Sequence, residues 1–139
     1  MKTMDLTLER TIPASPSEVF DAWLDPKSPA GPWHDALKLI FQPVVDGMFY
    51  WGYNHNGREK PHYGRFTVVE RPHKVVHTWM SEHTHGLDTL VTITFEPKGK
   101  DTKVTLRHAG LPDDPDGHGH NGGWSYFLDE LAKPFEKRK

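Results

Sequence analysis

Apolar and polar residues alternate almost from the start of the chain. Leu6, Leu8 and Ile12 interleave with Thr7, Glu9 and Thr11, a period of two that predicts a strand with one buried face. Ser15-Pro16-Ser17-Glu18 then carries a helix-start signal: a hydroxyl to cap, a proline suited to the first helical position, and a glutamate that completes a capping box. Val19, Phe20, Trp23 and Leu24 follow at helical spacing, and Asp25-Pro26 ends the run because a residue before proline avoids the α region. Residues 26–33 read as a proline-containing connection with room for one short helical turn.

From Leu37 to His108 the pattern returns to period two, broken by turn residues at Val45-Asp46-Gly47, Asn54-His55-Asn56-Gly57, Glu70-Arg71-Pro72-His73 and Pro97-Lys98-Gly99-Lys100-Asp101. About six strands fit, and the short turns imply an antiparallel meander. One face carries Phe49, Trp51 and Tyr53, then Val75, His77 and Trp79, then Val91, Ile93 and Phe95, then Val104, Leu106 and His108. Gly110 to Gly123 reads as a flexible loop. Beyond it Trp124, Leu128, Leu131 and Phe135 form one stripe of a C-terminal helix, which Pro134 interrupts or kinks near its end. The expected fold class is α+β: a curved antiparallel sheet whose apolar face is covered by the terminal helix, the one element long enough to cover it.

A chain of 139 residues with 35% hydrophobic content fits a single domain spanning residues 1–139. No apolar run approaches the roughly 20 residues of a membrane-spanning helix, and the start lacks a secretory signal pattern, so the expected location is cytoplasmic. With no cysteine, disulfides, thiolate metal sites and cysteine nucleophiles are excluded together. The formal charge is −2 and the longest basic run is the terminal Lys137-Arg138-Lys139, which lacks the footprint of a nucleic-acid binder. Protonating all ten histidines would carry the chain to +8.

Particular residues carry a family resemblance. Ala22-Trp23-Leu24-Asp25-Pro26 after the capped helix, Asp46-Gly47-Met48-Phe49, Gly64-Arg65-Phe66, Val75-Val76-His77-Thr78-Trp79, Val91-Thr92-Ile93-Thr94-Phe95 and His120-Asn121-Gly122-Gly123-Trp124 follow one another as landmarks do in one group. In that order the chain resembles the activator-of-Hsp90-ATPase-like family of the START-like (SRPBCC, Bet v-like) superfamily, from about Leu6 to Leu131. The resemblance implies a helix-grip fold with a cavity between sheet and C-terminal helix. Trp51, Tyr53, Phe66, His77, Trp79, His108, Trp124 and Phe127 or Leu128 would point inward. Val104 and Leu106 share the strand face of His108, and together these residues are the expected ligand-binding set. Superfamily relatives bind lipids, plant hormones, polyketides and aromatic compounds, whereas the eukaryotic namesake stimulates a chaperone ATPase. The namesake carries a separate N-terminal domain, and this chain opens directly on its first strand, which counts against a co-chaperone role.

The expected function is therefore binding of a small hydrophobic or aromatic ligand, with His77 and Tyr53 orienting it and without a cofactor. A protein-interaction module acting on a chaperone ATPase is the alternative, and an enzyme working on a hydrophobic molecule within the cavity stands third. No catalytic residue is singled out, since Ser15, Ser17 and Ser125 lie outside any nucleophile-elbow pattern. His77 and His108 read more readily as neutral core histidines bonded to backbone than as functional groups. His83-Thr84-His85 and His118-Gly119-His120 have a spacing that presents two imidazoles to one metal on an extended backbone, with Asp88 and Asp116 near in sequence. Glycine-rich loops give such ligands no support, so solvated loop histidines and no metal are expected.

Overall fold

The computed structural model describes residues 2–138. β1 (Thr3–Ile12) leads into α1 (Pro16–Leu24), and a six-strand meander follows: β2 (Ala36–Phe41), β3 (Met48–His55), β4 (Arg58–Glu70), β5 (Lys74–Ser81), β6 (Thr89–Lys98) and β7 (Asp101–Pro112). A single 3-10 turn, Glu82–Thr84, sits between β5 and β6, and α2 (Pro115–Glu136) closes the fold. All seven strands form one antiparallel sheet in the order β1-β7-β6-β5-β4-β3-β2. This is the antiparallel meander expected from the alternating pattern, in the helix-grip arrangement that the family resemblance implies.

The local signals act as their chemistry dictates. Ser15 Oγ accepts from the Glu18 backbone N–H at 3.3 Å while the Glu18 carboxylate accepts from the Ser15 backbone N–H, the reciprocal capping box. Asn56 and Gly57 both take positive φ (54° and 83°), as a two-residue hairpin turn between right-twisted strands requires. That turn pairs His55 with Arg58 and so fixes Trp51 opposite His62.

Two connections differ from expectation. Residues 26–35 form hydrogen-bonded turns instead of a helical turn, and they fold inward, so that Trp33 is buried with its Nε1 donating to the Trp23 carbonyl at 3.0 Å. Gly110 to Gly123 is not a flexible loop. β7 runs through Gly110 to Pro112, and α2 begins at Pro115, nine residues before Trp124. Asp114 caps it, its Oδ1 accepting from the Gly117 N–H at 3.0 Å, and Pro115 occupies the first turn. Cap and proline outweigh the poor propensity of four glycines. One of those glycines is required, because a Cβ on Gly117 would lie 1.7 Å from the Pro112 carbonyl oxygen. Pro134 lies inside the helix, which continues to Glu136.

The core lies between the concave sheet face and the two helices. Under α1 and the second half of α2 it is mostly aliphatic, with Ile12, Val19, Ile93, Leu106, Leu128 and Leu131 all fully buried. Toward β2 it becomes aromatic: Trp33 packs against Phe41, Phe49 and Trp51 with ring centroids 4.6, 5.3 and 6.0 Å apart. Arg10, on β1, grips the outer face of α2 through Asp129 and Ser125, both at 2.8 Å.

Candidate functional site

A cleft of about 490 Å³ opens between strands β3 to β5 and the first half of α2. Its wall is a continuous aromatic surface. Trp79 lies 5.6 Å from Trp51 and 4.9 Å from Trp124, ring centroid to centroid, and Phe127 lies 5.6 Å from Trp51. Tyr53 extends this surface outward, 5.1 Å from Trp51. The strand pleat puts Trp51 and Tyr53 on one face, and Trp124 and Phe127, three apart on α2, come down opposite them.

Glycine opens the helical side. Gly119 and Gly123 line the cleft, and a Cβ on either would meet nothing within 4 Å. A side chain there would grow into the opening.

Two histidines supply polarity. His62 is buried beside Trp51 and Trp79, centroids 4.8 and 4.9 Å away, and its Nδ1 donates to the Lys60 carbonyl at 2.9 Å. Burial lowers its pKa to about 4, so it is neutral near pH 7 and its Nε2 is an acceptor. His120 projects from α2 with its Nδ1 near the Asp116 and Gly117 carbonyls, at 3.1 and 3.2 Å, and burial lowers its pKa as well. Lys60 also borders the cleft, but its ammonium pairs with Glu82 at 3.2 Å. The Trp51 and Trp79 indole N–H groups, both buried, have no hydrogen-bond partner among the described residues.

Of the expected binding set, Trp51, Tyr53, Trp79, Trp124 and Phe127 line this cleft. Phe66, His77, Val104, Leu106 and His108 are brought into the same interior but lie within the packed core, fully or almost fully buried. For Phe66 and His77 the reason is that Trp33, Phe41 and Phe49 fill their end of the concavity, with Phe49 5.0 Å from the His77 ring. His77 donates from Nδ1 to the Thr78 carbonyl at 2.8 Å, and complete burial lowers its pKa to about 4. Val104 and Leu106 face the aliphatic half of the core.

His108 closes a directed chain of hydrogen bonds. The Trp124 indole can only donate, and does so to His108 Nδ1 at 2.9 Å, so the proton of this imidazole sits on Nε2. Nε2 then donates to Thr89 Oγ1 at 2.6 Å, and Thr89 donates to the Trp79 carbonyl at 2.6 Å. Burial, with His120 and His77 near, pushes the His108 pKa down to about 2. This histidine pins α2 to β6 and β7 as a neutral structural group.

His62, His120 and the two glycines are additions to the expected set. His62 was within reach of the sequence, because an Asn-Gly turn at 56 and 57 places residue 62 opposite Trp51. The glycines became visible only once the helix was known to start at Pro115.

The sequence model of the family described as Activator of Hsp90 ATPase homolog 1-like protein matches residues 13–136. The chain belongs to that family. Several solved structures share its fold at low identity. A Rhizobium loti protein is 23% identical with a TM-score of 0.80, covering 95% of this chain and 96% of its own. An Hsp90 activator from Plasmodium falciparum is 23% identical with a TM-score of 0.75, covering 92% and 93%. The Aha1 dimer from Colwellia psychrerythraea is 20% identical with a TM-score of 0.77, covering 96% of each chain. No curated protein matches the sequence. Among the described residues, no helix is long and apolar enough to cross a membrane.

Proposed function

We propose that this START-like domain binds a small, uncharged aromatic or lipid-like molecule in the cleft, in the cytoplasm and without a cofactor. The observation that carries the reading is the composition of the wall: a continuous aromatic surface of Trp51, Tyr53, Trp79, Trp124 and Phe127 around about 490 Å³. That volume falls within the roughly 300–1,000 Å³ of small-molecule pockets. Neutral His62 and His120 offer acceptors, so an aromatic or aliphatic body with a hydroxyl suits the site better than a carboxylate. Trp51, Tyr53, Trp79, Trp124 and Phe127 supply the stacking surface. His62 takes the orienting role first expected of His77. Phe66, His77, Val104, Leu106 and His108 support that surface from the core.

Titration with the uncharged fluorophore N-phenyl-1-naphthylamine tests this reading. Binding near micromolar, worth about −8 kcal/mol, with quenching of tryptophan emission is expected. Gly123→Phe, which grows a ring into the opening, is expected to abolish it while the protein still melts cooperatively. Absence of probe binding, or equal binding to the filled variant, overturns the cleft reading. It would favour the alternative suggested by likeness to an Hsp90 activator, an exposed surface that modulates a chaperone ATPase.

A further inference from the structure

The two histidine pairs separate sharply in the fold. His118 and His120 lie on α2, where residues two apart diverge by about 200° around the axis. His118 pairs with Asp113 at 2.9 Å while His120 turns toward the cleft, so no common ligand position joins them. The other pair meets carboxylates from a distant part of the chain. His83 ends its side chain 3.2 Å from Asp116 Oδ1, and His85 Nε2 lies 2.7 Å from Asp114 Oδ2 and 3.9 Å from Asp116 Oδ2. Donor atoms of His85, Asp114 and Asp116 all fall within 4.8 Å of one another.

We propose that His85, Asp114 and Asp116 bind one divalent transition-metal ion of the zinc class, with His83 as the positioning residue for Asp116. Four tetrahedral ligands at about 2.0–2.1 Å from zinc stand about 3.3 Å from each other, and the 2.7 and 3.9 Å separations here bracket that value. Small side-chain shifts therefore suffice. The carboxylates are oriented before any ion arrives: Asp114 Oδ1 is committed to the Gly117 N–H at 3.0 Å, leaving Oδ2 for the ion, and the His83 ring holds Asp116 Oδ1. His85 is fixed from its own side, with its backbone N–H bonded to the Glu82 carbonyl at 3.0 Å in a left-handed conformation, φ 56°. Two carboxylates and a neutral imidazole balance a divalent charge, and the imidazole selects zinc, nickel or cobalt over magnesium or calcium. Asp116 and His83 also border the cleft, so the ion would sit at its mouth.

This site stands independently of what occupies the cleft. The test is calorimetric titration of chelator-treated, untagged protein with zinc chloride, together with visible absorption after adding cobalt(II). One ion per chain is expected, with cobalt bands of tetrahedral intensity. His85→Gln and Asp116→Asn, both at exposed positions, are each expected to weaken zinc binding at least tenfold and to remove the cobalt bands. His118→Gln is expected to bind as the parent does. Failure of the parent protein to take up an ion, uptake at several weak sites, or binding by His85→Gln within twofold of the parent would overturn the assignment. Cobalt bands that survive in Asp116→Asn would do the same.

Discussion

Replacing Gly119, Gly122 and Gly123 together by alanine is expected to stabilise the protein. All three lie inside α2, and a Cβ on any of them meets nothing within 4 Å, so neither packing nor positive φ requires glycine there. Glycine in a helix interior is about 0.8–1.0 kcal/mol less favourable than alanine, so the triple change is worth about 2–3 kcal/mol. For a domain of this size that corresponds to roughly 6–10 °C in Tm. Gly117→Ala is the opposing control. Its Cβ would collide with the Pro112 carbonyl, and forced overpacking costs about 1–3 kcal/mol. Urea and thermal melts followed by far-ultraviolet circular dichroism measure both. A triple variant no more stable than the parent would refute the argument that these glycines lack a structural role. The single variants then separate stability from access. Gly122→Ala, away from the cleft, is expected to leave probe binding unchanged, whereas Gly119→Ala and Gly123→Ala narrow the opening and weaken it.

Trp124→Ala is expected to cost about 3–5 kcal/mol as a large buried aromatic is lost. Trp124→Phe isolates the indole N–H: it leaves His108 Nδ1 as a buried acceptor without its donor, at a cost of about 1–3 kcal/mol read from the urea midpoint. Stability also depends on acid. Burial holds His62 and His77 near 4 and His108 near 2, against about 6.5 in the unfolded chain. The unfolded state therefore takes up protons that the folded state refuses. The stability present above about pH 6.5 is lost as pH falls toward 4, at up to roughly 1.4 kcal/mol per unit for each histidine that titrates. The raised pKa of His85, bonded to Asp114, acts in the other direction, but at an exposed position where solvent screens it. Urea midpoints that stay level between pH 7 and 5 would contradict the burial of these imidazoles.

The strands and α1 were legible because their signals are local: a two-residue period, a capping box, and an Asn-Gly turn that sets register by itself. The start of α2 was hidden by composition. Two prolines and three aspartates at 112–116, followed by four glycines between 117 and 123, read as loop. The opposing influences, an N-cap on Asp114 and the close approach of Gly117 to Pro112, take effect only when β7 delivers the chain to that spot. The cleft was legible as an aromatic wall but not in its extent. Strand parity turns Trp51, His77 and Trp79 toward the same interior, yet nothing in the alternation tells that Trp33, arriving from a connecting segment, fills the end near His77. Parity reports which side of a sheet a residue faces, and only packing between distant segments decides whether space remains in front of it. The meeting of His83 and His85 with Asp114 and Asp116 is hidden for the same reason, since some thirty residues separate them.

The strand order has a kinetic consequence. Six strands join in sequence through short hairpins, so β2 to β7 can zip as they leave the ribosome, each contact closing a small loop. β1 precedes the meander yet pairs with its last strand, β7, Thr3 meeting Pro112 and Ile12 meeting Thr102, and so it waits for a partner until the other six strands are made. α2 comes later still, and it covers the apolar face. During elongation the nascent meander thus presents Trp51 and Trp79 uncovered beside an unpaired edge, until α2 arrives. Aggregation of translation products truncated before α2 is the hazard that follows from this order, and the docking of α2 is what ends it.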